Sequence, residues 1–292
     1  MATIIAALAH AAEVRLQAIR EFVANVADLD SGMVWMVLFF IALETIMPRK
    51  GVKVSTASRI RAVVFWSVYN VGILLLYELM WPLWSSLGVK PLLPDLAPPG
   101  LPKAAGILVG CAAAAFVGDF VYYWCHRFQH RFLWRFHAVH HSVRELSGAA
   151  TYHHVSEEVF KFLLYMIPLS LLTRDPYAIP VFGWLLGLQG NYLHSPTKLH
   201  FGPLGRYFID NRFHRIHHSV EERHFDKNFG LITTLWDSLF GTAHFPAADE
   251  WPDTGVADFP EPATIRQFLL SPFTYRQRPA PAPAADLAPE RV

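Results

Sequence analysis

The sequence predicts an all-α integral-membrane protein: a helical bundle of about three spans plus a helical hairpin, with a cytoplasmic, histidine-rich helical cap. Hydrophobic residues make up 53% of the 292 residues and charged residues only 17%, whereas about 25% of a soluble domain is charged. Several apolar runs have the length of membrane helices. Fourteen of the fifteen histidines lie between His126 and His244, which predicts one polar region attached to the bundle.

Composition also limits the class of partner and the domain organisation. A net charge of +1 excludes nucleic acid as an expected partner. Residues 1–30 lack a basic start and a small-residue cleavage site, so they are predicted to form an amphipathic segment at the membrane interface rather than a signal peptide. Residues 31–275 are predicted to form one membrane-embedded domain, and the Pro/Ala-rich tail 276–292 is predicted to be disordered.

Three apolar runs precede the histidines. Residues 32–48 are of marginal length, whereas residues 63–84 and 104–125 are long enough to cross a hydrocarbon core of about 30 Å. Two shorter runs, 159–172 and 177–193, follow the first histidine group. They are predicted to form a helical hairpin with its turn at Asp175-Pro176, which spans the bilayer or dips deeply into it.

The distribution of basic residues predicts the orientation. The connection after the first run is rich in basic residues, whereas the connection 85–103 carries only Lys90 and Lys103. The positive-inside rule therefore places the first connection in the cytoplasm. A third crossing and the hairpin bring both histidine groups to that side. The C-terminus lacks an endoplasmic-reticulum retention signal and the chain is rich in alanine, which favours a bacterial inner membrane.

The histidines repeat at helical spacing. His126 and His130 are four residues apart, and an H-x-x-H-H pattern occurs twice, at His137, His140 and His141 and again at His214, His217 and His218. On a helix, residues three and four apart lie on one face. Eight crowded imidazoles offer lone pairs with few donors, and bound metal resolves that arrangement. One zinc ion takes three or four protein ligands, so eight histidines indicate two metals.

Iron suits such a site better than zinc or haem. A nitrogen-rich site beside lipid favours O₂ activation, since lipid chains carry unactivated C–H bonds and zinc has no redox chemistry. A haem needs one or two axial histidines, and the sequence contains no C-x-x-C-H. Asp119, seven residues before His126, lies on the same helical stripe and is predicted to orient a ligand histidine.

These motifs resemble those of the fatty acid hydroxylase/sterol desaturase superfamily of integral-membrane di-iron enzymes. The boxes HRFQH, HAVHH and HRIHH carry the resemblance, together with DFVYYWCHRFQH, NFG and WDSLFGT. It covers roughly residues 105–245. The resemblance implies that two iron ions are held by the eight histidines His126, His130, His137, His140, His141, His214, His217 and His218.

The resemblance adds four further residues to the site. His194 in NYLHS and His154 in HHVSEE match metal-ligand positions of the family. Asp226 in HFDKNFG also matches a family position, where it is expected either to touch a metal or to hold a ligand histidine in its tautomer, and Asn228 follows it beside the metals.

The expected activity is O₂-dependent hydroxylation of a C–H bond in a membrane lipid, such as a fatty acyl chain or a sterol. No haem, flavin or dinucleotide segment is recognisable, so an external electron donor is implied: a ferredoxin, a b-type cytochrome or a reductase. Desaturation of a sterol or another lipid would use the same residues and stays open. A zinc-loaded membrane hydrolase and a metal-binding protein without turnover also stay open, and zinc is an alternative metal in the purified protein. A transporter is disfavoured because the histidines lie beyond the spans.

Overall fold

The computed structural model describes residues 2–93, 96–173 and 178–275, and every extended regular element within them is helical. Ten α-helices occur in these ranges: α1 Ala2–Ile46, α2 Thr56–Ser86, α3 Lys103–Phe132, α4 Trp134–His141, α5 Val155–Lys161, α6 Ile167–Leu172, α7 Ala178–His194, α8 Asn211–His217, α9 Leu235–Leu239 and α10 Ile265–Thr274. The described part of the chain thus has the predicted all-α class.

Two helices, α2 and α3, are long and apolar enough to cross a membrane. They contain the predicted spans 63–84 and 104–125. Less than a quarter of each hydrophobic window is buried within the protein, which is unlike the core helix of a soluble domain. On α2 the exposed residues Leu75, Leu79 and Leu83 follow one another at four-residue spacing, so they form an apolar face directed away from the bundle.

The predicted first span, 32–48, forms the C-terminal part of α1 and the turn after it. The helix continues without interruption from Ala2 to Ile46. The expected boundary between an interfacial segment and a membrane domain, at residue 30, therefore lies inside a continuous helix. The predicted tail 276–292 lies outside the described residues.

Both arms of the expected hairpin are helical. The first arm runs from α5 through a single π-helical turn, Phe162–Met166, into α6, and α7 forms the second arm. Backbone N–H groups of Leu92 and Leu93, which follow α2, donate to the carbonyls of Leu171 and Leu172 at 2.8 Å each. The first arm therefore extends as far as the end of α2. The expected turn, Asp175-Pro176, lies outside the described residues.

The opposite ends of the helices meet around a buried carboxylate. Glu44, near the end of α1, accepts hydrogen bonds from the Gly148 N–H at 2.8 Å and the Ser195 hydroxyl at 3.0 Å. It also forms an ion pair with Arg59, in the first turn of α2, at 2.8 Å. The C-terminal end of α3, the start of α5 and the end of α7 lie at this end too, and α4, α8, α9 and α10 cover it. We refer to the short helices α4, α8, α9 and α10 at this end as the cap.

Candidate metal centre

Nine imidazoles gather at this end of the bundle in two groups. Each ligand atom within a group lies within 4.8 Å of the others. All nine imidazoles are buried. Eight of these residues are buried as a whole, and His130, although half-buried as a residue, has a side chain that is only 7% exposed. The five-histidine cluster consists of His126, His130, His137, His141 and His217; the four-histidine cluster consists of His140, His194, His214 and His218.

Local structure positions the predicted boxes on separate helices. His126 and His130 occupy the last two turns of α3, which ends at Phe132, and the second box lies on α4. The third box lies on α8 and its C-cap residue, His218, and the first N–H groups of α8 are capped by the Asp210 carboxylate at 3.1 Å. His194 is the last residue of α7. The eight predicted box histidines and His194 are therefore brought together.

In the four-histidine cluster, nitrogen lone pairs face one another. The Nδ1–H of His140 donates to the Tyr152 carbonyl at 3.1 Å, and the Nδ1–H of His194 donates to the Gly190 carbonyl at 2.6 Å. Because a carbonyl only accepts and a neutral imidazole has one N–H, both Nε2 atoms carry lone pairs. These two Nε2 atoms are nevertheless 3.2 Å apart. Two acceptors at that distance repel each other unless a cation lies between them.

The five-histidine cluster has the same arrangement. His126 donates its Nδ1–H to the Phe229 carbonyl, and His137 donates its Nδ1–H to the Glu157 carboxylate, each at 2.8 Å. Their Nε2 atoms, which therefore carry lone pairs, are 3.1 Å apart. The Nδ1–H of His217 donates to the Lys227 carbonyl at 2.8 Å, and among the described residues its buried Nε2 atom has no hydrogen-bond partner.

Electrostatics keep these imidazoles neutral. Burial lowers the pKa of His140, His214 and His218 well below the usual value for histidine, and neighbouring imidazoles lower it further. Neutral imidazole is the form that ligates metal. A metal with bonds of about 2.0–2.1 Å to nitrogen holds neighbouring ligand atoms about 3.0–3.4 Å apart. The observed Nε2 separations in both clusters agree with this value, so the donor sets fit two metal ions.

Sequence reasoning missed two residues beside the clusters. Glu157 is 1% exposed, and its Oε2 atom accepts from His137 and lies 3.3 Å from the Nδ1 atom of His153. The His153 ring stacks on His140 with 4.0 Å between centroids. The motif HHVSEE contains both, but its adjacent histidines leave the register ambiguous.

The expectation that His154 is a metal ligand is corrected by this register. His154 precedes α5 as its N-cap, where its Nδ1 atom lies 2.6 Å from the Ser156 hydroxyl. Its Nε2 atom lies 3.3 Å from the Leu269 carbonyl. Both nitrogens therefore face groups outside the clusters, whereas the neighbouring His153 ring stacks on the cluster residue His140.

The loop 226–233 runs along the five-histidine cluster. The Asp226 carboxylate lies 3.5 Å from the Nδ1 atom of His130. Asn228 is buried and has a left-handed backbone conformation with a φ of 60°. It lies between Lys227 and Phe229, whose carbonyls accept from cluster histidines. Its side-chain amide donates to the Phe213 and His244 carbonyls at 2.8 Å each. Asn228 therefore supports the cluster through the backbone and touches no cluster histidine through its side chain.

Asp119 acts at a different place from the one predicted. Its carboxylate accepts from the backbone N–H groups of Leu231, Ile232 and Thr233 at 2.9–3.0 Å and from the Thr233 hydroxyl at 2.7 Å. It holds the loop 226–233 and contacts no ligand histidine directly.

A third group of side chains, His224, His244 and Glu250, resembles a metal site only in composition. One oxygen of the Glu250 carboxylate accepts from Arg223 at 2.8 Å, and the other accepts from the Ala247 N–H at 2.8 Å. The carboxylate is thus satisfied by protein donors. Facing lone pairs, the feature that distinguishes the two histidine clusters, do not occur in this group.

Comparison with known proteins agrees with this geometry. Residues 111–242 match the profile of the fatty acid hydroxylase family. The chain is 34% identical over 183 residues to ornithine lipid hydroxylase OlsE of Rhizobium tropici, a match that covers 61% of this chain and 53% of that protein. It is 30% identical over 145 residues to alkylglycerol monooxygenase of Homo sapiens, which covers 47% of this chain and 31% of that protein.

A more distant relative is very-long-chain aldehyde decarbonylase CER1 of Arabidopsis thaliana, 28% identical over 154 residues, with 48% of this chain and 24% of that protein covered. The chain thus spans about half the length, or less, of the curated relatives it matches. No solved structure matches it.

Proposed function

Because the chain belongs to the fatty acid hydroxylase superfamily, we propose that it hydroxylates a C–H bond of a membrane lipid with two iron ions held by the nine clustered histidines. The observation that carries the proposal is the pair of Nε2–Nε2 contacts, 3.1 Å in one cluster and 3.2 Å in the other, between imidazoles whose N–H groups point away from each other. Iron rather than zinc fits the chemistry, since zinc cannot activate O₂.

When bound, the iron ions supply the O₂ activation that oxidation of an unactivated C–H bond requires. The reaction takes one O₂, two electrons and two protons and gives the lipid alcohol and one water. The protein's part is to hold the ligand nitrogens in place. Glu157 and backbone carbonyls accept the Nδ1–H groups, which fixes the tautomer and directs each Nε2 atom at the metal. All nine imidazoles are buried, so bulk water has little access to the ligand atoms.

An apolar groove favours the proposal that the substrate is a lipid. A cavity of about 720 Å³ lies between α1, α3 and α7 and reaches the loops of the cap. Its polar side chains include Gln189 and Tyr192, but Gln189 donates to the Ile209 and Leu231 carbonyls and Tyr192 donates to the Leu199 carbonyl. These groups are already paired, so the groove suits a hydrocarbon chain. Ornithine lipid and alkylglycerol, which appear in the relatives' names, both carry such chains.

The electrons come from a separate donor, a ferredoxin, a b-type cytochrome or a reductase. The histidine end also carries the basic connection between α1 and α2, including Arg49, Lys50 and Lys53. By the positive-inside rule this end faces the cytoplasm, where such donors and their reductants are found. A bacterial inner membrane is the proposed location.

Elemental analysis and lipid analysis together test the proposal. Protein purified from iron-replete cells should contain two metal ions per chain. Lipids from cells that carry the gene should include a species heavier by one oxygen atom than its precursor, and a His140→Ala variant should abolish that species. A loss of two hydrogens instead would indicate desaturation. Two tightly held zinc ions with no O₂ consumption after iron reconstitution would favour a hydrolase and contradict the proposal.

A further inference from the structure

The two clusters are held by different parts of the chain. In the five-histidine cluster, the Nδ1 atoms of His126, His130 and His217 all face the loop 226–233. In the four-histidine cluster, the described Nδ1 contacts lead elsewhere: His194 donates to a carbonyl of its own helix, and His140 donates to the Tyr152 carbonyl. A displacement of the loop would therefore disturb three histidines of the five-histidine cluster. It would leave the Nδ1 contacts of His194 and His140, in the four-histidine cluster, unchanged.

The loop itself is held by two buried carboxylates. Asp237, on α9, accepts from the Phe229 N–H with Oδ1 and from the Gly230 N–H with Oδ2, at 2.8 Å each. Asp119 accepts from the three N–H groups that follow. Five consecutive backbone donors, at residues 229–233, thus end on two side chains. Asp237 and Asp119 are 0% and 1% exposed, so water does not replace either contact at low cost.

We infer that Asp237, together with Asp119, is a positioning residue that sets the metal affinity of the five-histidine cluster and leaves that of the four-histidine cluster unchanged. The inference rests on the proposed function, in which each cluster binds a metal ion. Asp237 touches no ligand; it acts through the Phe229 carbonyl, which accepts from His126, and through the path of the loop that carries the Lys227 carbonyl to His217.

A carboxylate is required because both of its oxygens accept. Asparagine has the same shape, but its amide nitrogen would face the N–H of Phe229 or Gly230, and two donors cannot pair. The loop would have to move. Its neighbourhood leaves little space for such a movement: a Cβ atom on Gly230 would lie 2.7 Å from Ile209, 2.8 Å from the Thr233 carbonyl oxygen and 3.0 Å from Asp237.

The hydroxyl of Thr242 offers a milder perturbation of the same contact. It donates to Asp237 Oδ1 at 2.7 Å and lies 3.0 Å from the Tyr123 hydroxyl on α3. Thr242→Val removes this contact while both carboxylates and every histidine are retained. It should act in the same direction as Asp237→Asn, with a smaller effect.

Chelator titration of the metal-loaded, full-length protein tests the inference. In Asp237→Asn one of the two metals should be released at a chelator concentration about 10–100-fold lower than in the unmodified protein, the range known for residues that orient metal ligands. The second metal should be released as before. Glu145→Gln is the matched control, because Glu145 also accepts a backbone N–H, from Ser55 at 2.7 Å, but lies away from the loop. It should release both metals normally.

Combined variants identify which metal is affected. His194→Ala weakens the four-histidine cluster, so adding Asp237→Asn should leave little metal bound. Adding Asp237→Asn to His217→Ala should change little further, since both act on one cluster. Unchanged release of both metals in Asp237→Asn, or equal weakening of both, would overturn the inference. If Asp237→Asn does not accumulate, the same measurement on Thr242→Val tests the inference in its place. An unmodified protein that binds no metal would instead refute the proposed function.

Discussion

Glu157→Ala should weaken metal binding at the five-histidine cluster and also destabilise the metal-free protein. The Oε2 atom of Glu157 accepts from His137 at 2.8 Å and Gln129 at 3.2 Å, and His153 lies 3.3 Å from it. Alanine leaves these groups without an acceptor in a site where Glu157 is 1% exposed. A buried donor that loses its partner costs about 1–3 kcal/mol, so the loss for His137 alone should exceed the effect of most surface substitutions.

Glu157→Ala should weaken metal binding more than the conservative variant Glu157→Gln does. Without the carboxylate, His137 can adopt the tautomer with its proton on Nε2, which removes the lone pair that faces the metal. We expect a fall in metal affinity of about 10–100-fold. Glu157→Gln keeps an acceptor oxygen for His137 but removes the charge and the Oε1 acceptor that faces the His154 N–H at 3.4 Å. Since the contact to His137 is retained, the metal affinity of this variant should remain closer to that of the unmodified protein.

Chelator competition and thermal unfolding in detergent, with and without metal, measure both effects. Both variants lack the carboxylate charge, but only Glu157→Gln keeps an oxygen that accepts from His137. A difference in metal affinity between the two variants therefore measures the effect of that acceptor. If Glu157→Ala bound both metals as tightly as the unmodified protein, the argument that acceptors on Nδ1 direct the ligand atoms would be refuted. Equal weakening by both variants would assign the effect to the charge.

Three further predictions address the site, the orientation and the packing. His217→Ala should abolish lipid oxidation because it removes a metal–nitrogen bond, whereas the exposed His200→Ala should retain it; product per mole of folded protein decides. A cysteine at exposed Lys53 should be protected from a membrane-impermeant thiol reagent in intact cells and one at exposed Lys90 should react, and the reverse pattern would invert the orientation. Gly148→Ala should lower the free energy of unfolding by about 1–3 kcal/mol, because its Cβ atom would overlap a phenylalanine ring on α1; an unchanged unfolding temperature would contradict this.

The elements that the sequence predicted well are those set by local pattern. The apolar runs in α2 and α3 required only length and composition, and the histidine spacing required only the period of a helix. His153 and His154 show the limit of this reasoning. Both precede the same short helix, and only the N-cap geometry, with a Ser156 contact for His154, determines which of the two rings faces the clusters.

The supporting residues depend on contacts between distant parts of the chain. Asp119 was predicted from its stripe on α3, but its partners are 112–114 residues away, in a loop that has no periodic pattern. Asp237 belongs to the motif WDSLFGT, which contributes to the family resemblance but does not by itself predict a physical role for its aspartate. A carboxylate that accepts backbone N–H groups leaves no signature in sequence, because its partners are present at every residue.

The H-x-x-H-H pattern has a physical explanation in the way each box is divided. His137 and His141 belong to the five-histidine cluster and His140 to the other, whereas His214 and His218 belong to the four-histidine cluster and His217 to the other. Successive residues of a helix are rotated by about 100°, so residues four apart differ by only about 40° while adjacent residues diverge.

One metal would need only the pair at four-residue spacing. The additional histidine, beside that pair, reaches a second metal from the same turn of helix. The separation of the two clusters is therefore limited by the width of one helix, in agreement with the stacking of His141 on His218 across the clusters at 4.3 Å between ring centroids. Since each of the two H-x-x-H-H boxes serves both clusters with opposite shares, neither cluster is complete without both α4 and α8. Under the proposed function, the repeated spacing therefore suits a pair of neighbouring metals, and a single helix displaced from the cap would disrupt both sites at once.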